Sequence, residues 1–401
     1  MTASDPPVSE FGSHLRSEWL IDPRLSYLNH GTVGATPKRV LAAAAALTEE
    51  IERDPAAFQL RELANHTGDP WEQPSRLRRA LSIVGDFVGA DVAGLAFVDN
   101  ITAGANIVLR SFPLAAGDEI LVTSLGYGGV TRAAEYTARV VGARLVTVDM
   151  PNLGAAPEAF VEAVADAITP RTRVAIVDHL AARSALVLPI ADIATMCRER
   201  GVALLADGAH VPGGIALDIG SLGVDFYTAN LHKWAWVPRS SGILWASGEH
   251  RASTRPVVMS WGLDNGWEAE FDLPGTRNPV AHLCAPVAIA MLDEWGFDAI
   301  AQHNHELAWW AAHHLSDAWG TTFDTPESMT GQMVTVRLPV RFGNTDKDAT
   351  ALQRRLRNDH WIEVPVAAGV DPACLTIRIS AQVYVDRAEV ESLARVVASG
   401  G

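Results

Sequence analysis

Lysine is nearly absent from this chain: three residues in 401, Lys38, Lys233 and Lys347, within a combined lysine and arginine total of 32. A sequence that takes almost all of its positive charge from arginine still keeps lysine in the apolar, aromatic segment Thr228-Ala-Asn-Leu-His-Lys-Trp-Ala-Trp236. Arginine cannot stand in for a reactive amine, because a guanidinium stays protonated, whereas a desolvated ammonium gives up its proton and can form an imine. Lys233 is therefore the first catalytic candidate. A plain compositional preference for arginine explains the scarcity equally well, and on that reading Lys233 is an ordinary loop residue.

Cysteine is as scarce. Cys197, Cys284 and Cys374 lie far apart with no paired spacing, which excludes a disulfide framework and a cysteine-built zinc site and points to a reducing compartment. Positive charge is outnumbered, and a formal net charge of -15 argues against nucleic acid or an anionic membrane as the main partner. A small-molecule substrate is expected instead. No run approaches the ~18 apolar residues of a membrane span, and the opening Met1-Thr-Ala-Ser-Asp-Pro-Pro lacks a basic and apolar signal, so a cytoplasmic location is expected. Internal repeats and low-complexity linkers are missing too. The Gly-x-Gly-x-x-Gly of a dinucleotide site is also missing after the first strand-like run, where Asn100-Ile-Thr-Ala-Gly104 stands in its place.

What the chain does have is 48% hydrophobic residues, enough to bury one large core and a smaller one. Short β-rich runs alternate with helix-like stretches: Leu95 to Asp99, Ile120 to Ser124, Arg144 to Asp149, Val174 to Asp178, Val202 to Asp207, Phe226 to Thr228 and Gly242 to Trp245. Their largely unbroken apolar character predicts strands buried on both faces, in a mainly parallel, helix-covered α/β sheet. From about residue 286 the pattern changes to one long helix-like stretch, Pro286 to about Ala318, followed by strand-like and helical segments that read as a smaller α+β domain. The expected division is an N-terminal arm over 1–75 that shares in the small domain, a large domain over 76–285 and a small C-terminal domain over 286–401.

Several of these runs end in Asp, Asn, Ser or Thr, which suits a ligand site at the carboxyl edge of the sheet, although each such residue also serves as a helix cap. Asp207 ends one run and opens Asp207-Gly-Ala-His-Val-Pro-Gly213; Lys233 follows one strand later. A carboxylate able to pair with a pyridine nitrogen and an amine able to form an imine are two requirements of a pyridoxal phosphate site. A third is an anion cradle, and Asp99-Asn-Ile-Thr-Ala-Gly-Ala105 opens a helix whose amides at Thr102 and Ala103 suit a phosphate.

Asn230-Leu-His-Lys-Trp234, Asp207-Gly-Ala-His210, Tyr27-Leu-Asn-His-Gly31, Gly275-Thr-Arg277 and Arg378-Ile-Ser-Ala-Gln-Val-Tyr384 together resemble the class V aminotransferase superfamily, on its isopenicillin N epimerase-like branch. The resemblance runs from about Tyr27 to Tyr384. It implies the fold type I (aspartate aminotransferase-like) architecture of pyridoxal phosphate enzymes, with a seven-stranded sheet, and pyridoxal 5'-phosphate as cofactor. It makes Lys233 the imine-forming lysine and Asp207 the partner of the pyridine nitrogen. Tyr127 would stack on the cofactor ring and His210 would lie beside it, unless they are a turn tyrosine and a buried structural histidine. Phosphate contacts would come from Thr102, Ala103, Asn230 and His232, and from Gly275 and Thr276 of a second copy in a homodimer with shared sites. Arg378 would grip the substrate carboxylate, and Asn29 and His30 would line the pocket entrance. The segment His179-Leu-Ala-Ala-Arg-Ser184 departs from the family pattern: Ala182 stands where a polar residue would bond the cofactor's phenolic oxygen, and Arg183 either supplies a replacement charge or is exposed.

The resemblance implies an enzyme that forms an external aldimine with an amino acid or cysteine conjugate and removes its Cα proton. Epimerisation, carbon-sulfur β-elimination, transamination and decarboxylating oxidative deamination are the open outcomes. Desulfuration through a protein persulfide is disfavoured, since Cys284 and Cys374 fall at a helix start and a strand start rather than on a loop near the site. A non-catalytic relative of the same fold is disfavoured by the joint presence of Lys233, Asp207 and Arg378.

Overall fold

The computed structural model describes residues 11–64 and 74–400. The opening segment read above for a signal lies outside the described residues, as does 65–73 within the N-terminal part. Twelve strands are present among them: β1 (Ser26–Tyr27), β2 (Leu95–Val98), β3 (Glu119–Thr123), β4 (Arg144–Val148), β5 (Thr172–Asp178), β6 (Ala203–Asp207), β7 (Phe226–Asn230), β8 (Gly242–Ala246), β9 (Met333–Arg337), β10 (Ile362–Glu363), β11 (Val366–Ala367) and β12 (Thr376–Ser380).

β2 to β8 form one seven-stranded sheet in the order β2-β8-β7-β6-β5-β3-β4. Every pairing is parallel except those of β8, which runs antiparallel to β2 and β7. The expected runs are all strands here. β2, β3, β7 and β8 are buried along their whole length, which is why their sequences are apolar without alternation. Helices Ile101–Ser111, Gly128–Val141, Pro157–Ala167 and Ile190–Glu199 connect the strands and cover the sheet. Two apolar clusters result, one on each face, built around residues such as Leu121, Ala175 and Tyr227 on one side and Ile120, Val174 and Phe226 on the other.

The C-terminal region holds a three-stranded antiparallel sheet, β11-β12-β9, packed against helix Phe297–Trp319, on which helix Arg387–Ala398 packs in turn. The N-terminal segment is tied to this part: β1 pairs in parallel with β10, and the Ser380 amide donates to the Leu28 carbonyl at 3.0 Å. The single long helix expected from Pro286 is instead two, Ala285–Trp295 and Phe297–Trp319, bent by 76° at Gly296. Gly296 takes φ 79°, a left-handed conformation that ends the first helix and that side-chain-bearing residues disfavour. No single helix among the described residues is long and apolar enough to cross a membrane; by length and composition this bent pair alone would qualify.

Candidate active site

The carboxyl ends of β5, β6 and β7 lie side by side because those strands are parallel neighbours in register. Asp178 closes β5 opposite Asp207 at the end of β6, which faces Thr228 of β7. Lys233 follows β7 by three residues. A cleft of about 460 Å3 opens here, lined by Lys233, His210, Asp178, Thr102, Tyr127 and Arg378 among others. Residues far apart in sequence thus meet at the edge where open α/β sheets bind ligands.

Asp207 lies just beneath this surface at 2% exposure, with its neighbour Ala209 on the cleft wall. Its Oδ1 accepts the Ala209 amide at 2.9 Å, while Oδ2 is buried with no partner. Burial pushes the carboxyl up to about 6, against the opposing pull of the Ala209 amide and the Lys233 charge. Desolvation, and then the charge of Arg378, bring the Lys233 amine down to about 8, with Asp207 and Asp178 acting the other way. A lysine so placed supplies a free amine far more readily than one in water.

His210 Nε2 lies 3.1 Å from Lys233 Nζ, and Trp234 Nε1 donates to His210 Nδ1 at 3.3 Å. Tyr127 is exposed on the cleft, at the start of helix Gly128–Val141. Asn230 accepts the Ile101 amide at 3.0 Å through Oδ1, and His232 Nδ1 pairs with the Ser241 carbonyl at 3.0 Å. Asn230 thereby braces the first turn of helix Ile101–Ser111, and His232 ties the segment after β7 to the start of β8. Arg378, buried on β12, donates through Nη1 to the Ala182 carbonyl at 2.5 Å and through Nη2 to Thr32 Oγ1 at 2.8 Å and Asn29 Oδ1 at 3.3 Å. Its Nε has no partner, and among the described residues no carboxylate pairs with it. Burial alone brings this guanidinium down to about 10, so the position favours an incoming anion.

Several expectations are corrected. The Ala103 amide is already taken at 3.0 Å by its helix cap, Asn100 Oδ1, and Ala103 faces a neighbouring cleft rather than the one at Lys233. Thr102 borders both clefts and has no such bond on its amide or hydroxyl. His30 does not line an entrance: it is 0% exposed behind Lys233, with Nε2 3.0 Å from the Lys233 carbonyl and Nδ1 2.7 Å from the Tyr384 hydroxyl. Asn29 is also buried, donating to Glu363 at 3.0 Å and accepting from Arg378; Thr32 and Val33 take the wall position instead. Ala182 lines the cleft, but its polar contribution is the carbonyl spent on Arg378. Arg183 supplies no charge there, since its guanidinium donates to the Ala368 carbonyl. Gly275 and Thr276 stand outside these corrections, since their expected contact is with a second copy; in their own chain they sit in a loop beside the neighbouring cleft, where a Cβ on Gly275 would meet nothing within 4 Å.

Two contributors escaped the sequence reading. Asp178 carries a signal of its own, an Asp-His pair closing a buried strand as Asp207 closes the next. Gly34 carries none: it takes φ 70° and packs on the Lys233 segment so closely that a Cβ would overlap the His232 carbonyl.

A family model described as aminotransferase class-V matches residues 27–393. The chain belongs to the class V aminotransferase family. It is 32% identical to a putative L-cysteine desulfhydrase 2 of Oryza sativa subsp. japonica, over 98% of this chain and 87% of that protein. It is 31% identical to the isopenicillin N epimerase of Streptomyces clavuligerus, over 94% of this chain and 96% of that one. Among solved structures, the apo cysteine desulfurase of Thermococcus onnurineus NA1 superposes with a TM-score of 0.78 at 18% identity, covering 98% of both chains. The cystine C-S lyase C-DES in complex with cysteine persulfide gives 0.76 at 22% identity, over 94% of this chain and 98% of that one. These two share the fold. The family's cofactor is pyridoxal 5'-phosphate, and the residues here fit it: a buried carboxylate oxygen without a partner, an amine of lowered basicity, and a helix start with unpaired Thr102 donors.

Proposed function

We propose that this protein is a pyridoxal-phosphate lyase that breaks the carbon-sulfur bond of cysteine or of a cysteine S-conjugate. When bound, the cofactor supplies an electron sink for the pair left at the substrate Cα. Lys233 would hold the cofactor through Nζ, and the same nitrogen, once free, would be the base that takes the substrate Cα proton. Asp207, with its unpartnered Oδ2, would hold the ring nitrogen protonated, while Thr102, Asn230 and His232 would hold the phosphate and Tyr127 would cover the ring. Arg378 grips the substrate carboxylate with donors in a fixed fork. The Cβ–S bond then breaks with its electron pair on sulfur, which leaves as a thiol. The remaining three-carbon enamine takes up water to give pyruvate and ammonium.

The observation that carries this reading is which nucleophiles reach the cleft. Lys233 is there, and none of the three cysteines is; all three thiols are free and buried elsewhere. A persulfide route needs a thiol within reach of the substrate sulfur, so sulfur must leave into solution. The desulfhydrase relatives support a lyase, and the epimerase relative supports a second reading in which the proton returns to the opposite face of Cα. One experiment separates them: incubation with both enantiomers of cysteine and of cysteine S-conjugates in deuterated water. Pyruvate and thiol are the expected products. Deuterium at an inverted Cα with no released thiol would make the protein an epimerase, and a keto acid retaining the sulfur would indicate amino transfer.

We further infer a cytoplasmic homodimer as the working form. The reducing setting rests on three unpaired thiols. The dimer rests on an exposed apolar strip, Val257, Val258, Met259, Trp261 and Leu263, with Trp261 83% exposed. Val257 and Val258 border the cleft next to Thr102 that also includes Pro274 and Arg277. A second copy seated on this strip would bring its Gly275-Thr276 loop toward the phosphate-binding helix.

A further inference from the structure

Lys233 has an immediate neighbour in the chain whose side chain reaches back to the same site. Trp234 is fully buried, and its indole nitrogen donates to His210 Nδ1 at 3.3 Å. An indole N–H is only ever a donor. His210 Nδ1 must therefore present a lone pair, and in a neutral imidazole the proton then resides on Nε2. His210 is neutral: burial first, then the charges of Lys233 and Arg378, hold it well below the ordinary histidine range. The protonated Nε2 faces Lys233 Nζ across 3.1 Å. An ammonium there would set donor against donor, whereas a free amine would accept the Nε2 proton in a hydrogen bond.

We propose that Trp234 is a positioning residue that fixes the tautomer of His210 and thereby holds Lys233 as a free amine. The main chain is built to keep the relay in place. His30 packs its ring on Trp234 at a 4.9 Å centroid separation and donates through Nε2 to the Lys233 carbonyl at 3.0 Å, which fixes its tautomer and leaves Nδ1 to accept from the Tyr384 hydroxyl at 2.7 Å. Gln332 holds the opposite end of His210 by donating to its carbonyl at 2.7 Å. Lys233 and Trp234 are thus gripped by backbone and ring together, and the indole acts on the amine only through His210. The other charged groups facing Lys233 are Arg378, Asp207 and Asp178, and those facing His210 are Arg378, His232 and His30. Of these only His30 touches the Trp234 ring, and Trp234→Phe keeps an aromatic ring against it. The device works on the chain itself, whichever product the enzyme releases.

Lysine scarcity makes the test clean. Full-length protein freed of cofactor is pulsed with acetic anhydride across a pH series, and acetylation is read peptide by peptide by mass spectrometry. Lys38 and Lys347, both exposed, serve as internal controls. In Trp234→Phe the ring stays and the donor goes, so the midpoint of Lys233 labelling should rise by about one pH unit, a roughly tenfold loss of labelling at neutral pH. The controls should not move. Altered access would change the plateau of labelling, and only altered ionisation moves the midpoint. An unshifted midpoint in a folded variant overturns the proposal. Should the variant fail to fold, nitrogen-15 spectra of the wild-type histidines decide alone, with His210 assigned by its loss in His210→Gln. A protonated Nε2 is expected, and a protonated Nδ1 overturns the proposal.

Discussion

Asp178 and Asp207 are register partners on β5 and β6, so two buried carboxyls end neighbouring strands beneath one cleft. Two like charges so close are not both held without water, and the pair divides. Burial and then the charge of Asp207 push Asp178 well above the usual carboxylate range; Asp207, which has the Ala209 amide and Lys233 in its favour, rises only to about 6. Asp178 is the protonated member and Asp207 the charged one.

That division carries a cost in the cofactor-free chain. Both folded-state values lie above those of the unfolded chain, so the folded protein binds more protons from pH ~4 upward, and its stability falls as pH rises, through about 6 for Asp207 and further for Asp178. For Asp207 alone the cost reaches up to about 3 kcal/mol above pH ~6. Cofactor-free Asp207→Asn should therefore be more stable than wild type at pH 8, with the gap closing below pH 4, while losing turnover. Denaturant unfolding at both pH values checks this. A variant less stable than wild type at pH 8 would show that Oδ2 is not an uncompensated charge.

Lys233→Ala should abolish the borohydride-reducible link to the cofactor and the visible absorption that accompanies it. The chain offers only Lys38 and Lys347 as substitutes, and both are exposed. Peptide mapping after reduction should find the adduct on Lys233 in wild type and nowhere in the variant. An adduct on either other lysine would falsify the assignment.

Arg378→Lys should raise KM for the amino-acid substrate by roughly 10- to 100-fold with a smaller change in kcat, because a point charge replaces a planar fork and charge-assisted bonds of about 1.5–3 kcal/mol are at stake. Steady-state kinetics separate the two parameters. Equal losses in both would place Arg378 at the reacting atoms instead of the carboxylate.

The sheet was legible because most of its strands are buried on both faces, the edge strand β4 excepted, and such burial leaves uninterrupted apolar runs like Val174 to Asp178 and Val202 to Asp207. The break at Gly296 was not, since apolar helical spacing continues on both sides and an isolated glycine is tolerated within helices. At the site, Lys233, Asp207 and Arg378 stood out because each is chemically costly where the pattern put it. Roles set by tertiary hydrogen bonds did not. Ala103 reads as a free helix-start amide until Asn100 is seen to cap it, and His30 reads as a pocket residue until its ring is found behind Lys233. The tie between Trp234 and His210 spans 24 residues and depends on which ring nitrogen faces the indole, which no spacing records.

The inferred dimer is testable at its most exposed apolar residue. Trp261 leaves most of its ring in water in the single chain, and burial of such a side chain against a second copy would contribute on the order of 2–3 kcal/mol. A charge placed there would have to be desolvated in the same interface. Trp261→Asp should therefore shift sedimentation toward monomer at low micromolar concentration. If the Gly275-Thr276 loop of a second copy completes the phosphate site, cofactor affinity must weaken in parallel and recover as protein concentration is raised. A variant that stays dimeric would show that the interface does not rest on Trp261, and a monomer that holds cofactor as tightly as wild type would show that the phosphate site is complete within one chain.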